Sequence, residues 1–463
     1  MVLDKIFFQT VIPNVAWLGG AEPSFNVCVF DSRFATEQCA FFALMGEKVD
    51  GHDFIEAAYN AGARTFIIDN NKQAALDCLS KEMLKGCSVA LVDNALQALI
   101  LLATAWRSQF SCPMIGITGS VGKTSTKEML ASIVTTSGRN CLMTTGTRNT
   151  LVSIATTLLN LRPDHFCAVI EMGINRRGEM AALAQMVQPT IAIITSIAHS
   201  HMEGLGSLQD IAVEKRDIFK YFKENNIGII NGDQPGLTAI SYHHPVVKFG
   251  YKTTNQVQAR KVKVNNGITN CMLKLYNERY DLSLETIHAG RLLNALASAA
   301  AAYLLDIPPV DIVKGLSQAA VVPGRFEMKK LHSLQGVLIN DCYNANPESM
   351  KEALLAFERM ETRGKKIAVL GDMLELGVNT PFWHRQLGRT LRKAPSLSRV
   401  IFVGNHIKSA EKAMPHTLPY TLVADWQAAV EELKLYLEQD VAVLVKASNG
   451  VGLKNLVEKI VNV

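Results

Sequence analysis

The run MIGITGSVGKTST, residues 114–126, restricts the fold of this chain more than any other part of its sequence. A strand that enters a helix through a glycine-rich turn directs backbone N–H groups and the positive helix N-terminus at one point, and that arrangement binds phosphate. Lys123 is placed to neutralise the terminal phosphates of a nucleotide, and the hydroxyl of Thr124 is placed to ligate Mg²⁺. The run therefore predicts a nucleotide site in an α/β domain.

The flanks of this turn support the same interpretation. Met129 and Ile133 recur four residues apart, as they do in a helix that packs on a sheet. Five residues separate Gly116 from Gly122, where the common P-loop has four. A chance glycine-rich turn is the competing interpretation, and the strand and helix on either side argue against it. The residues expected to contact the nucleotide here are Gly119, Ser120, Gly122, Lys123, Thr124 and Ser125.

The length of 463 residues predicts about three domains. Short β-branched runs alternate with helical patterns along nearly the whole chain, which is typical of parallel α/β sheets. We expect a smaller N-terminal α/β domain over 1–107 and a central P-loop domain with a parallel sheet over 108–320. A C-terminal Rossmann-like, doubly wound domain is expected over 321–463. Antiparallel strands around the turn NNG, residues 265–267, are expected in or beside the second block.

Composition excludes several classes of protein. No apolar run approaches the roughly 18 residues that cross a bilayer, and the first 20 residues lack the features of a secretory signal. Nine cysteines without a Cys-x-x-Cys pair argue against a disulfide framework or a zinc site. A net charge of +5 without a basic block argues against nucleic-acid binding. We expect a cytoplasmic protein without a membrane span.

Three further residues are candidates for metal chemistry. Glu171 ends the buried run FCAVI, where a second Mg²⁺ ligand belongs beside a P-loop strand. His199 and His201 both follow the next apolar run, and their spacing does not choose between them. Lys215 reads, from sequence alone, as a solvated lysine on a helix that begins near Ser207.

The sequence indicates which base the bound nucleotide carries. A guanine site requires Asn-Lys-x-Asp after the P-loop, whereas Asn71-Lys72 precedes it and continues with Gln-Ala. A switch GTPase is therefore disfavoured, and we expect adenine.

The chain resembles the Mur ligases, ATP-dependent enzymes that add amino acids to the UDP-linked peptidoglycan precursor. It is most similar to the branch that adds D-alanyl-D-alanine to UDP-N-acetylmuramoyl-tripeptide, because YNANP and GDMLELG separate that branch from its sisters. The Asp-Asn-Pro-Arg run of the sister that adds diaminopimelate or lysine is absent from the sequence. The motifs that carry the resemblance are DSR, GEKVDGHDF, TGSVGKT, EMG, HMEGLGSL, PGRFE, DCYNANPESM, AVLGDMLELG and VKASNGVGL.

The resemblance implies roles for particular residues. The implied catalytic residues are Lys123, Lys215, His201 and Arg325, and the implied metal ligands are Thr124, Glu171, His201 and Lys215. Lys215 aligns with a lysine that is carbamoylated in the family. Further nucleotide contacts are implied for Asn294, Arg325 and Asp341, and substrate contacts for Ser32, Arg33, Asp50, His52, Tyr343, Asn344 and Asn346.

The implied reaction consumes ATP with Mg²⁺. ATP phosphorylates the tripeptide carboxylate, the amine of D-alanyl-D-alanine attacks the acyl phosphate, and ADP and phosphate are released. The first domain is expected to bind the UDP end, the central domain ATP, and the last domain to complete the site. We expect a monomer.

The chain departs from the family pattern at several positions. The family usually has asparagine in place of Val121, a glutamate in place of Leu151, and His-Asn in place of Gly290-Arg291. The last difference falls at the adenine contacts of the family.

Other functions remain open at this stage. The chain could be another Mur ligase, or a ligase like folylpolyglutamate synthetase, which shares the central ATPase. It could also be a P-loop kinase, a nucleotide sensor or a non-catalytic relative. An active ligase is favoured over a non-catalytic relative because the site residues are retained together.

Overall fold

Helices and strands are interleaved along the described residues, which are 4–23, 25–46 and 48–461 of a computed structural model. These residues contain three sheets with mainly parallel strands, so the predicted α/β class is confirmed. Contacts divide the chain into two units. The first comprises Met1–Gly116, Arg139–Gly173 and Ala181–Thr190, and the second comprises Ile117–Gly138, Ile174–Met180 and Ile191–Val463.

The N-terminal part of the first unit is built on a five-stranded sheet. Its strand order is β1-β5-β4-β3-β2, with β1 antiparallel to β5 and the other pairs parallel. The elements are α1 (Lys5–Val11), β1 (Ala16–Gly19), β2 (Val27–Val29), β3 (Cys39–Phe42), α2 (Ile55–Asn60), β4 (Thr65–Asp69), α3 (Lys81–Lys85), β5 (Ser88–Val92) and α4 (Ala95–Ser108). The side chains of Phe41 and Phe66 pack edge to face in its core.

The middle of the chain begins with the predicted P-loop strand and helix. Its elements are β6 (Met114–Thr118), α5 (Lys123–Thr136), β7 (Cys141–Met143), α6 (Leu151–Leu158), β8 (Cys167–Glu171), α7 (Glu179–Val187), β9 (Ile191–Ile194), α8 (Met202–Leu205), α9 (Leu208–Arg216), β10 (Ile227–Asn231), α10 (Pro235–Thr238), β11 (Val246–Gly250), β12 (Val257–Asn265), β13 (Ile268–Leu275), β14 (Glu278–Leu284), α11 (Ala289–Leu304) and α12 (Pro309–Gln318). In the first unit β7 pairs with β8 in parallel. In the second unit the order is β9-β10-β11-β12-β13-β14, and the last two pairings are antiparallel.

Local sequence signals place several of these elements. The predicted hairpin turn joins β12 to β13, where Asn266 and Gly267 adopt φ of +50° and +80°, as a two-residue Asn-Gly turn requires. Helix α9 begins as predicted, because the Ser207 hydroxyl accepts the backbone N–H of Asp210 at 3.2 Å and the Asp210 carboxylate accepts the N–H of Ser207 at 3.0 Å. The alanine-rich run 291–306 lies almost wholly in α11, whose small side chains are buried.

The C-terminal part of the second unit is doubly wound, as predicted. Its elements are β15 (Glu327–Leu331), β16 (Gly336–Asp341), α13 (Pro347–Arg359), β17 (Lys366–Gly371), α14 (Thr380–Leu391), β18 (Leu397–Val403), β19 (Tyr420–Val423), α15 (Trp426–Lys434), β20 (Ala442–Lys446) and α16 (Leu453–Val461). The strand order is β15-β16-β20-β17-β18-β19, and every pair except β15–β16 is parallel. Separate apolar clusters cover its two faces, one including α13 and α14 and the other α15 and α16. No helix among the described ranges is long and apolar enough to cross a bilayer.

Helices α5 and α12 approach each other closely at a glycine. The Ser132 hydroxyl donates to the carbonyl of Gly315 at 2.8 Å, and a Cβ on Gly315 would lie 2.5 Å from the Cα of Ile133. Since backbone atoms cannot give way as a flexible side chain can, this contact requires glycine.

The contact predicts a stability difference between two glycine substitutions. Gly315→Ala should cost about 1–3 kcal/mol through overpacking. Gly236→Ala, in α10, should stay within about 0.5 kcal/mol because a Cβ there would meet no atom within 4 Å. Differential scanning calorimetry should therefore show a lower melting temperature for Gly315→Ala only, and equal melting temperatures for the two variants would contradict this packing.

Candidate active site

The turn between β6 and α5 has the backbone geometry of a phosphate cradle. Gly119 and Gly122 adopt φ of +147° and +92°, which L side chains rarely tolerate. The amine of Lys123, the first residue of α5, donates to the carbonyl of Gly119 at 2.8 Å, and Thr124 is buried behind it. Ser125 follows as the third residue of the helix and is half-buried. The helix N-terminus and the lysine thus lie together at the carboxyl end of β6.

The segment after β9 holds this turn in place. The N–H of Ser120 donates to the carbonyl of Ser196 at 2.8 Å, and the N–H of Val121 donates to the Ser196 hydroxyl at 3.1 Å. The carbonyl of Val121 accepts the hydroxyl of Thr195 at 2.6 Å. The turn is therefore held through the backbone N–H and carbonyl of Val121, so an asparagine side chain at this position is not needed to form it.

Asn294 on α11 lies directly against the turn. A Cβ on Gly122 would lie 2.2 Å from the Asn294 Oδ1, and a Cβ on Gly119 would lie 1.9 Å from the Thr195 hydroxyl. Both glycines are thus enclosed by polar side chains. The predicted nucleotide contact at Asn294 is brought to the P-loop, although its helix is about 170 residues away in sequence.

Glu171 lies in the first unit, at the end of β8, and is 1% exposed. Its Oε1 accepts the amide of Asn149 at 2.8 Å, and its backbone N–H donates to the Thr144 hydroxyl at 3.0 Å. The carboxylate is therefore positioned by neighbouring polar groups. Leu151, where the family has glutamate, is instead the first residue of α6.

The two candidate histidines each contact a carboxylate from the C-terminal part of the chain. His199 pairs through Nδ1 with Glu348, and its ring lies 4.2 Å from that of Trp383. His201 pairs through Nδ1 with the Oε2 of Glu375 at 2.5 Å. These pairs join the segment after β9 to helix α13 and to the loop after β17, which sequence patterns could not reveal.

Lys215 is not a solvated helix lysine, contrary to the interpretation from sequence alone. Its side chain is 1% exposed, and no hydrogen bond or ion pair of its amine occurs within the described residues. Burial lowers the pKa of Lys215 well below its usual range, and the nearby Lys123 ammonium acts in the same direction. The adjacent Glu214 accepts the N–H groups of Gly178 and Met180 at 2.9 and 3.0 Å, at the start of α7.

Arg325 and Asp341 lie near one another at the start of the C-terminal sheet. The Arg325 guanidinium stacks on the ring of Tyr343 at 3.7 Å. The Asp341 Oδ1 accepts the N–H of Phe326 at 3.0 Å, and its Oδ2 accepts the amine of Lys446 at 2.6 Å. Lys446 is buried and was missed as a candidate, because β16 and β20 are neighbours only in the folded sheet.

The ring of His288 occupies the space beside Gly290, one of the positions where the chain departs from the family pattern. A Cβ on Gly290 would lie 2.8 Å from the Cε1 of His288, so the imidazole stands where a side chain at position 290 would stand. The ring also lies 4.8 Å from that of Phe326. Burial lowers the pKa of His288 to about 4, and the nearby Asp341 opposes this shift. Arg291 donates to the carbonyl of Ala319 at 2.7 Å.

The remaining candidates in the C-terminal part shape their own loop. The Asn344 side chain accepts the N–H of Ala345 at 2.8 Å, and the Asn346 side chain accepts the N–H of Ser349 at 2.8 Å and caps α13. Tyr343 lies beneath Arg325.

The candidates in the N-terminal part of the chain form two groups. Arg33 follows Ser32 and extends from the surface, with its guanidinium on the Asp31 carboxylate at 2.6 Å. His52 is buried; its Nδ1 lies 2.7 Å from Asp50, and its Nε2 accepts the N–H of Asp69 at 3.1 Å. Burial raises the pKa of Asp50, but hydrogen bonds from His52 and Lys72 outweigh it and hold the pKa at about 2.

The oxygen donors at this site fit an Mg²⁺ ion whose other ligands are nucleotide phosphates and water. No group of three or more His, Cys, Asp or Glu side chains in the described part of the chain could hold a metal ion alone. Mg²⁺ usually takes one or two protein oxygens, phosphates and water. The hydroxyl of Thr124 and the carboxylate of Glu171 are oxygen donors of this kind.

Family models match three successive parts of the chain. A model described as the Mur ligase family, catalytic domain, matches residues 25–105, and one described as the Mur ligase middle domain matches 117–302. A model described as Mur ligase, glutamate ligase domain, matches 324–449.

Known proteins resemble the chain over almost its full length. The UDP-N-acetylmuramoyl-tripeptide–D-alanyl-D-alanine ligase of Bacillus subtilis is 33% identical over 437 residues, which are 93% of this chain and 92% of that protein. A crystal structure of MurF from Acinetobacter baumannii has a TM-score of 0.86 at 26% identity and covers 100% of this chain and 99% of its own. The MurF ligase of Thermotoga maritima, in complex with ADP, has a TM-score of 0.79 at 26% identity and covers 94% and 97%. The chain belongs to the Mur ligase family, in its UDP-N-acetylmuramoyl-tripeptide–D-alanyl-D-alanine ligase branch.

Proposed function

We propose that this protein joins D-alanyl-D-alanine to UDP-N-acetylmuramoyl-tripeptide at the expense of ATP, in the synthesis of the peptidoglycan precursor. The observation that carries the proposal is the P-loop turn, held by the segment after β9 and enclosed by Asn294. This turn lies in a chain that aligns almost end to end with the UDP-N-acetylmuramoyl-tripeptide–D-alanyl-D-alanine ligase of Bacillus subtilis. The Thermotoga relative in complex with ADP supports an adenine nucleotide at this turn.

The chemistry explains why ATP is required. A carboxylate is a poor acyl donor, because its leaving group would be oxide. Transfer of the γ-phosphoryl group to the carboxylate oxygen breaks the β–γ bond, forms an acyl phosphate and releases ADP. The amine then adds to the acyl carbon, and the tetrahedral intermediate collapses to amide and inorganic phosphate with loss of a proton. Water must be excluded, because it would hydrolyse the acyl phosphate.

Cationic side chains would offset the charge of the transferred phosphoryl group. Lys123 lies at the P-loop, and Arg325 extends from the start of the C-terminal sheet with its guanidinium fixed on Tyr343. Asp341 is tied to Lys446, so we propose that this buried pair fixes the loop that faces the nucleotide. Thr124, Glu171 and His201 would hold Mg²⁺, which supplies further positive charge at the phosphates.

We propose that Lys215 carries a carbamate. Its neutral amine is the form that adds to carbon dioxide, and burial favours that form. Because the Lys123 ammonium lies close enough to act on Lys215, the negative charge of a carbamate there would be attracted to it. The carbamate would also add an oxygen ligand for the metal.

The remaining assignments concern substrates and organisation. We propose that the UDP end of the site is formed by Ser32, Arg33, Asp50 and His52. His52 would hold the Asp50 carboxylate in position. Tyr343, Asn344 and Asn346 are proposed to shape the acceptor side. We also propose domain boundaries near residues 107 and 320 and a monomeric state. The proposed location is the cytoplasm, where UDP-linked precursors and ATP are available.

The reaction itself provides the first test. Inorganic phosphate should be released from ATP only when both UDP-N-acetylmuramoyl-tripeptide and D-alanyl-D-alanine are present, and in amounts equal to the amide formed. A coupled phosphate assay with mass detection of the product measures both. Phosphate release that needs only one organic substrate, or none at all with both, would contradict the ligase.

The enclosure of the P-loop predicts a second result. Gly122→Ala should weaken ADP binding strongly, because the new methyl would meet Asn294 and the left-handed backbone disfavours alanine. Gly138→Ala is the matched control, since Gly138 follows the same helix with φ of +75° and has no atom near its Cβ position. Isothermal titration with ADP should find weaker binding in Gly122→Ala alone, and unchanged binding there would argue against this nucleotide site.

The carbamate predicts a third result. Protein equilibrated with ¹³C-bicarbonate should give a carbamate carbon signal that is lost in Lys215→Ala. Lys127→Met should retain the signal, because Lys127 is also buried but is paired with Glu128 at 2.9 Å. A wild-type spectrum without the signal, or a signal that persists in Lys215→Ala, would exclude the modification at this residue.

A further inference from the structure

His201 and Glu375 meet in a geometry that folding stability alone does not explain. Both are non-glycine residues in the left-handed region, with φ of +52° and +62°. Such backbone costs more free energy than an ion pair with a half-exposed partner usually returns, and the Glu375 side chain is 57% exposed. Strained residues of this kind concentrate at functional sites.

The contact fixes which nitrogen of His201 carries a proton. A carboxylate accepts hydrogen bonds but cannot donate them, so the bond between His201 Nδ1 and Glu375 Oε2 at 2.5 Å places the proton on Nδ1. Within the described residues, the Nε2 of His201 has no hydrogen-bond partner. In the neutral ring Nε2 therefore presents its lone pair.

The loop that carries Glu375 is built to hold the carboxylate still. The N–H of Met373 donates to the Nε2 of the buried His384 at 3.1 Å, and the N–H of Leu374 donates to the Ser448 hydroxyl at 3.0 Å. The carbonyl of Glu375 accepts the N–H of Glu203 at 3.3 Å. The two segments are thus joined at the backbone as well as at the side chains, beside a cavity of about 710 Å³ lined by Glu203 and Glu375.

We propose that Glu375 is a positioning residue that holds the imidazole of His201 as its Nδ1–H tautomer, so that Nε2 is ready to bind the metal of the ligase reaction. This role rests on the proposed function. Carboxylates that orient metal-binding histidines through the second ring nitrogen are a recurrent arrangement. Because Glu375 lies in the loop after β17 and His201 follows β9, the ligand is oriented only when these two parts are docked.

The test reads the tautomer directly in the metal-free protein. Imidazole ¹⁵N spectra identify the His201 signal as the one that is missing in His201→Gln. The wild type should show the Nδ1–H tautomer, and Glu375→Ala and Glu375→Gly should shift His201 towards the Nε2–H tautomer. The glycine variant adopts positive φ without strain, so it removes the carboxylate while the loop keeps its shape.

A neighbouring carboxylate provides the control. Glu203→Ala removes a charge from the same cavity, and the Glu203 side chain makes no hydrogen bond or ion pair among the residues described. Affinity for Mg²⁺ in the presence of ADP should fall about 10- to 100-fold in both Glu375 variants and stay unchanged in Glu203→Ala.

Several results would overturn the proposal. These are an Nε2–H tautomer in the wild type, an Nδ1–H tautomer that persists in both Glu375 variants, a shifted tautomer with unchanged Mg²⁺ affinity, and an equal loss of affinity in Glu203→Ala. The tautomer measurement needs no substrate. A protein that passes it but forms no amide would therefore refute the proposed function and leave the role of Glu375 in orienting His201 intact.

Discussion

The turn between β6 and α5 depends on hydroxyl and backbone groups supplied by the segment after β9. Thr195 and Ser196 bond the carbonyl of Val121, and Ser196 also accepts its N–H. These bonds keep the turn open towards the helix N-terminus, with two glycines in backbone conformations that other residues rarely adopt. The position of Lys123 and the approach of Asn294 both follow from this turn.

Features set by local sequence could be predicted. The glycine turn, the Asn-Gly hairpin and the serine cap of α9 depend on residues within a few positions of each other, so pattern alone finds them. Burial of Lys215 could not be found in this way. Its helix has ordinary polar spacing, and only the packing of α9 in the folded second unit removes the amine from solvent.

Contacts between distant segments could not be predicted from the sequence either. Asp341 and Lys446 are 105 residues apart, and His201 and Glu375 are 174 apart, so no spacing rule connects them. Their strands or loops become neighbours only through the order of a parallel sheet or the docking of one domain on the next. The departures at Val121 and Gly290 are explained by their surroundings, because hydrogen bonds with Thr195 and Ser196 shape the turn at Val121 and the His288 ring fills the space beside Gly290.

The central claim is that ATP activates the tripeptide carboxylate as an acyl phosphate. The most direct measurement labels both oxygens of that carboxylate with ¹⁸O and follows the label by mass spectrometry of the products. One labelled oxygen should appear in the inorganic phosphate and the other should remain in the new amide. Phosphate without the label, from a reaction that still forms the amide, would contradict this account.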